Sequence, residues 1–262
     1  MACGQFRATP GDRDANLLVM VQQIAEASLK GCSVIVFPEL ATTGYLAPDS
    51  LPALAEPVHG HSIAVLAEAC ARHTIATVVG FPELDPARGV CHNSFVFLSR
   101  TGETLGVCRK THLWDTESRW AQPGDAIPVF DDLGTTYSGW ICFDTRFPEV
   151  GRLAFLGGAE VCFVPTAWLG PAAEWELALR ARALDNCCFI AGADLINPVP
   201  GLECRGHSMI VGPSGDVLCR AHPMTDCVID AVLHPGDMIR QRERLRIDEC
   251  RRPELYGRLA GA

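Results

Sequence analysis

Positive charge is in short supply: 22 Lys and Arg stand against 31 Asp and Glu, a formal net charge of −9. An acidic chain offers no electrostatic footprint for nucleic acid or an anionic membrane. The one basic stretch, 240–246, is interrupted by Glu243 and reads as a solvated helix or an oligomer contact. Ser/Gly-rich tracts, charge blocks and low-complexity runs are absent, so nothing marks a linker, and residues 1–262 are expected to form a single domain. No apolar run reaches the ~18 residues of a membrane span, and no basic start leads into an apolar signal core. The 13 cysteines are odd in number and scattered, with no C-x-x-C pair and no zinc-like spacing. Disulfides and a metal site are therefore not expected, and a reducing cytoplasm is the expected location. Most of these thiols sit in apolar runs and behave as small core residues.

What is present alternates. Residues 15–27 and 62–73 carry the apolar spacing of amphipathic helices, and 34–37 and 76–80 read as strands. Residues 95–98 and 103–108 form an expected hairpin around Arg100-Thr101-Gly102, and 174–186 reads as a helix whose Glu176 and Arg180 pair at i, i+4. The pattern alone predicts an α/β protein with a mixed sheet.

Three strand ends carry chemistry. Ser138-Gly139-Trp140-Ile141-Cys142 reads as a buried strand that stops at a cysteine and turns into a helix, which presents the thiol to solvent at a helix N-terminus that favours a thiolate. By itself Cys142 is equally well explained as one more small buried thiol. Val34-Ile35-Val36-Phe37-Pro38-Glu39 ends in a proline that cannot continue a central ladder, which sets Glu39 just past a strand end. Lys110 follows the strand-like 104–108 segment and can reach a strand-end pocket. Carboxylate, ammonium and thiol together make a hydrolase site, with Glu39 as general base, Cys142 as nucleophile and Lys110 stabilising thiolate and oxyanion.

The order and wording of these segments closely resemble the nitrilase superfamily of carbon-nitrogen hydrolases. The likeness runs through Val36-Phe37-Pro38-Glu39-Leu40, Arg109-Lys110-Thr111-His112-Leu113 and Ile141-Cys142-Phe143-Asp144-Thr145-Arg146-Phe147-Pro148-Glu149, and continues to Arg252-Pro253-Glu254-Leu255-Tyr256. It implies a four-layer α-β-β-α sandwich with two mixed sheets, outer helices that pack across a homodimer interface or a higher homo-oligomer, and no metal or organic cofactor. It also implies a Glu39-Lys110-Cys142 triad that attacks an amide or nitrile carbon through a thioester-type intermediate. A second glutamate of the amidase members stands six residues before a Pro-Gly pair, and Glu117 stands six before Pro123-Gly124. Its implied task is to position an amide.

Three glutamates follow a Phe-Pro pair: Glu39, Glu83 and Glu149. Thr43-Gly44-Tyr45 follows Glu39, as the resemblance requires, whereas Glu83 runs into an ordinary surface turn and Glu149 is expected to brace a helix. The expected substrate-binding set is Arg146, Phe143, Trp168 and Tyr45. Trp168 follows another strand-then-proline segment at 161–165, and Arg146 would face the pocket mouth and grip a substrate carboxylate in bidentate fashion. The form of the nucleophile segment is similar to that of omega-amidase-like members. His112 and His207 read as hydrogen-bonded supports. The expected function is hydrolysis of a small linear amide, and the alternatives are a nitrilase, an N-carbamoyl amidohydrolase or a non-catalytic scaffold. Retention of all three triad residues speaks against the last.

Overall fold

A computed structural model describes residues 1–257; the last five residues of the expected 1–262 domain lie outside the described residues. In chain order the elements are β1 (Ala2–Gln5), α1 (Arg13–Leu29), β2 (Val34–Val36), α2 (His61–His73), β3 (Ala76–Asp85), β4 (Val90–Leu98), β5 (Thr104–Arg109), β6 (Val129–Asp132), β7 (Thr135–Gly139), α3 (Pro148–Leu156), β8 (Val161–Thr166), α4 (Ala172–Asn186) and β9 (Phe189–Asp194). After these come a short ribbon of β10 (Ile196–Asn197) and β11 (Cys204–Arg205), then β12 (Met209–Val211), β13 (Val217–Arg220), β14 (Cys227–Asp230), α5 (Pro235–Leu245), α6 (Ile247–Cys250) and α7 (Pro253–Tyr256).

The helices form where the sequence periodicity sets them. Asp12 caps α1 by accepting from the Ala15 N–H at 3.0 Å, and Leu17, Met20, Ile24 and Ala27 make its buried stripe. Helix α2 stops at Thr74 in the left-handed conformation, φ 54°. The basic stretch lies in α5 and its C-cap Arg246, with Met238 and Gln241 buried and Arg240, Arg244 and Arg246 exposed. Arg242 reaches back to the carbonyls of Cys187 and Ala159 at 3.2 and 2.5 Å, satisfying acceptors left near the ends of α4 and α3.

The strands make two six-stranded mixed sheets, ordered β14-β1-β2-β3-β4-β5 and β13-β12-β9-β8-β7-β6. Each has the same plan: three parallel strands at the centre, β1-β2-β3 in one and β7-β8-β9 in the other, flanked by antiparallel neighbours. Helices α1 and α2 cover the first sheet, and α3 and α4 cover the second. The result is the four-layer α-β-β-α sandwich. Between the sheets Phe97 meets Phe130, Tyr137 and Phe163 at centroid distances of 5.9, 5.3 and 5.1 Å. Fully burying each such ring contributes about 1.5–3 kcal/mol. Among the described residues no helix is long and apolar enough to cross a membrane.

Three strands depart from expectation: β3 runs past the expected 76–80 to Asp85, its partner β4 begins at Val90, before the expected 95–98, and β8 also outruns its signal. Strand β8 does not stop before its proline: Pro165 pairs with Ala193 and Thr166 with Asp194. A proline is tolerated in a ladder only where its missing N–H has no partner to satisfy. The turn that carries Trp168 therefore begins two residues later than the proline signal suggests.

Candidate active site

Both parallel triplets point their C-terminal ends the same way, and the candidate residues gather there. Beyond β2, the Phe37 N–H still donates to the Val78 carbonyl at 2.8 Å. Pro38 then breaks the ladder, and Leu40 at φ 50° turns the chain. Gly80 permits this corner: a Cβ there would lie 2.3 Å from the Pro38 carbonyl oxygen and 2.7 Å from the Glu39 Cα. Lys110 follows β5, its backbone N–H bonded to the Asn93 carbonyl at 2.8 Å.

Cys142 follows β7 with φ 47°, left-handed backbone that a side chain rarely adopts. It opens a 3-10 turn, Cys142–Arg146, and the α-helix begins only at Pro148. Asp144 holds the turn together. Its carboxylate accepts from the Ile141 N–H at 3.1 Å, the Thr111 hydroxyl at 2.7 Å, and the backbone N–H and ring Nδ1 of His112, both at 2.8 Å. The Cys142 turn and the Lys110 loop are thereby fastened to one carboxylate.

The sequence led us to expect a solvent-presented thiol biased toward thiolate. Instead Cys142 is only 8 % exposed, with its Sγ 3.8 Å from the Ala167 carbonyl. Burial first, then the negative charge of Glu39, push the thiol well above its ordinary value, against the pull of Lys110. A short 3-10 turn supplies too little dipole to overcome that.

Beneath it lies a cluster of buried charge. Lys110 Nζ donates to Glu39 Oε1 at 2.7 Å and stands 2.9 and 2.8 Å from the two oxygens of Glu117, with no side-chain exposure of its own. Glu39 Oε2 accepts from the Ala167 N–H at 2.9 Å. Glu117 also accepts from the Tyr45 hydroxyl at 3.0 Å and the Trp114 N–H at 2.7 Å. Burial raises the Glu39 carboxyl above its ordinary range, and Lys110 pulls it back. Burial opposes the charge on Lys110, but Glu39 and Glu117 more than offset this and hold its pKa well above that of a free lysine.

Above the cluster is a cavity of about 250 Å³ whose wall includes Tyr45, Lys110, Trp114, Cys142, Phe143, Arg146 and Trp168. All four residues expected to bind substrate thus line it. Arg146 lies at the mouth, 4.9 Å over the Trp168 ring and paired with Glu174 on α4. Glu39 and Glu117 are behind the wall, and Glu117 meets the cavity only through Lys110, Tyr45 and Trp114. His112 stacks on Phe147 at 3.7 Å and supports Asp144. The His207 carbonyl accepts from the Trp175 indole at 3.0 Å. Glu83 faces away, gripped by Arg109 at 2.9 and 2.5 Å and by Ser94 at 2.6 Å. Glu149 sits in the first turn of α3.

The sequence profile of the carbon-nitrogen hydrolase family matches residues 1–243. This chain belongs to the carbon-nitrogen hydrolases, the nitrilase superfamily. It is similar to a probable nitrilase of Schizosaccharomyces pombe, 32 % identical with 99 % of this chain and 97 % of the relative covered. An omega-amidase of Xenopus laevis is also 32 % identical, with 96 % and 94 % covered. The amidase of Nesterenkonia sp. AN1 superposes with a TM-score of 0.86 at 28 % identity, covering 98 % of both chains. A variant of that amidase carries the Michael adduct of acrylamide at its active-site cysteine (TM-score 0.82, 27 % identity, 94 % and 98 % covered).

In this carbon-nitrogen hydrolase, sequence reasoning missed Asn93, Asp144, Trp114 and Asp194. Asn93 touches both glutamates, and Asp194 accepts from the Trp168 N–H at 2.9 Å and fixes the far wall. Asp144 alone left a local signal, a carboxylate two residues past Cys142 where it can cap the turn.

Proposed function

We propose that this carbon-nitrogen hydrolase cleaves a small linear amide to a carboxylic acid and ammonia, with Cys142 as nucleophile, Glu39 as general base and Lys110 as the fixed positive charge. The observation that carries this reading is the buried Lys110, bridging two carboxylates directly under a cavity whose wall includes Cys142. A thiol that burial pushes up, beside a carboxylate that burial also pushes up, suits proton transfer during attack. The Cys142 Sγ bonds to the amide carbon while its proton passes to Glu39. The oxyanion is stabilised by the Lys110 ammonium and by the backbone N–H of Phe143 at the start of the turn, which has no acceptor among the described residues. Glu39 then returns the proton to the leaving nitrogen, the C–N bond breaks, and ammonia departs from a thioester on Cys142. A water gives its proton to Glu39, attacks the thioester, and releases the acid as the thiol is restored. Glu117 fixes Lys110 and Tyr45, and so orients the amide.

The cavity volume suits a short acyl chain, and the guanidinium at its mouth suits a substrate ending in a carboxylate. The omega-amidase relative supports this finer reading. Binding would exchange Glu174 for the substrate carboxylate on Arg146, a half-exposed pair that costs little to separate. Ammonia release across amides, carbamoyl compounds and nitriles, with Cys142→Ala as control, tests the reaction. Turnover of amides that vanishes in Cys142→Ala is expected, and signal only from nitriles would discard the amidase reading. Arg146→Leu should lower kcat/KM for acidic amides about 10- to 100-fold and spare their neutral analogues. Unchanged discrimination would remove the carboxylate clamp.

A further inference from the structure

Lys110 carries one positive charge, yet two buried carboxylates share it. Asn93 supplies the missing donors. Its Nδ2 lies 2.7 Å from Glu39 Oε1 and 3.0 Å from Glu117 Oε1, so its two hydrogens serve one acid each. The residue is fully buried on β4. Pairing with Pro82 on β3 and the bond from the Lys110 N–H to its own carbonyl fix its backbone on both sides. The pleat then aims Asn93 at the glutamates and Ser94 at Glu83. An amide can be turned end for end, but here only one sense is physically acceptable, because the reverse would set Oδ1 against two carboxylate oxygens. In the accepted sense Oδ1 has no partner among the described residues. An acceptor is left unpaired in the interior so that both hydrogens of the nitrogen can reach the acids.

We infer that Asn93 is a positioning residue for amide hydrolysis, holding Glu39 and Glu117 apart around Lys110 so that Glu39 is set to take the thiol proton. This rests on the reading of Glu39 as general base. Without Asn93, one ammonium would face two carboxylates, and Glu39 would retain its proton to higher pH. The charged and titratable groups facing Glu39 are Lys110 after β5, Glu117 in the 3-10 turn Asp115–Arg119, Cys142 after β7 and Asp194 at the end of β9, with Tyr45 against Glu117. Only Lys110 among them offsets negative charge.

The test is the pH profile of Cys142 alkylation by acrylamide, followed by the mass of the Cys142 peptide, in the native enzyme and in Asn93→Leu, Asn93→Ser, Glu39→Gln and Glu117→Gln. This readout needs no turnover. Asn93→Leu should move the acid limb up by on the order of one pH unit. Asn93→Ser, which keeps one hydrogen to donate and covers the case in which the leucine variant does not fold, should move it part of the way. In the Glu117→Gln background the shift should shrink, because Lys110 then serves Glu39 alone. A slower rate at every pH with the limb unmoved in both Asn93 variants would overturn the inference and leave the base reading intact. A limb that also stays in place in Glu39→Gln would overturn both.

Discussion

Two stretches of this chain are near copies: Val36-Phe37-Pro38-Glu39-Leu40 and Val79-Gly80-Phe81-Pro82-Glu83-Leu84. Their fates differ. The first leaves its sheet at Val36, and Glu39 drops into a pit with Lys110 and Cys142. The second stays in its sheet to Asp85, with Pro82 opposite Asn93 and Glu83 opposite His92. What separates them is the neighbour. Strand β3 has a nine-residue antiparallel partner in β4 that carries it past its proline, and the chain at Glu56 bonds to its free side at Pro82 and Leu84. Strand β2 lies between two parallel partners and has no hairpin to follow, so its proline ends it. Glu83 then meets a half-exposed guanidinium and becomes a brace, whereas Glu39 meets a buried ammonium and a thiol. The shared Phe-Pro-Glu-Leu yields a structural ion pair in one copy and the proposed base in the other, according to what faces it.

The comparison can be broken most sharply at the two glutamates. Glu39→Gln should lower kcat about 10³-fold with the fold retained, the range of a lost general base, as measured by steady-state ammonia release. Glu39 accepts a proton only when ionised, so each pH unit below its pKa should reduce kcat/KM tenfold. Because burial raises that pKa, the acid limb should lie above the ~4.3 of an ordinary glutamate. The sign for stability is the opposite of the usual carboxylate: the folded state binds this proton more tightly than the unfolded chain, so the contribution of Glu39 is present at low pH and lost as pH rises through its raised value. Glu83→Gln should leave the acid limb in place.

Gly80→Ala attacks the contact between the two copies. Its Cβ would collide with the Pro38–Glu39 backbone, which should cost about 1–3 kcal/mol in thermal unfolding and, by shifting the base, about tenfold or more in kcat. Glu83→Gln should have the smallest effect on catalysis, kcat within about twofold, while weakening the grip of Arg109 at a cost of about 1–3 kcal/mol in stability.

The helices α1 and α2, the β4–β5 hairpin and the corner at Glu39 could be read from the chain because each is set by local spacing or by a proline. The four layers came from family likeness, since the pattern alone reached only an α/β mixed sheet. Strand β8 hid its true end because proline was read as a stop, and only its pairing with β9 shows otherwise. The exposure of Cys142 was misjudged for a related reason: the strand-to-turn corner is local, but the Ala167 carbonyl beside the sulfur and the Glu39 charge that helps push the thiol up are distant in sequence. Asn93 gave no signal at all. It lies before the expected 95–98 strand and between the polar His92 and Ser94, so nothing local sets it apart until the Glu39 corner and the Glu117 turn arrive beside it.

The most direct test of the account is the mass of the enzyme quenched during turnover of an amide substrate. The account predicts an added acyl group on the peptide containing Cys142, absent in Cys142→Ala and strongly reduced in Glu39→Gln while Glu83→Gln still forms it. An acyl group on a different cysteine, or ammonia release that persists in Cys142→Ala, would contradict it.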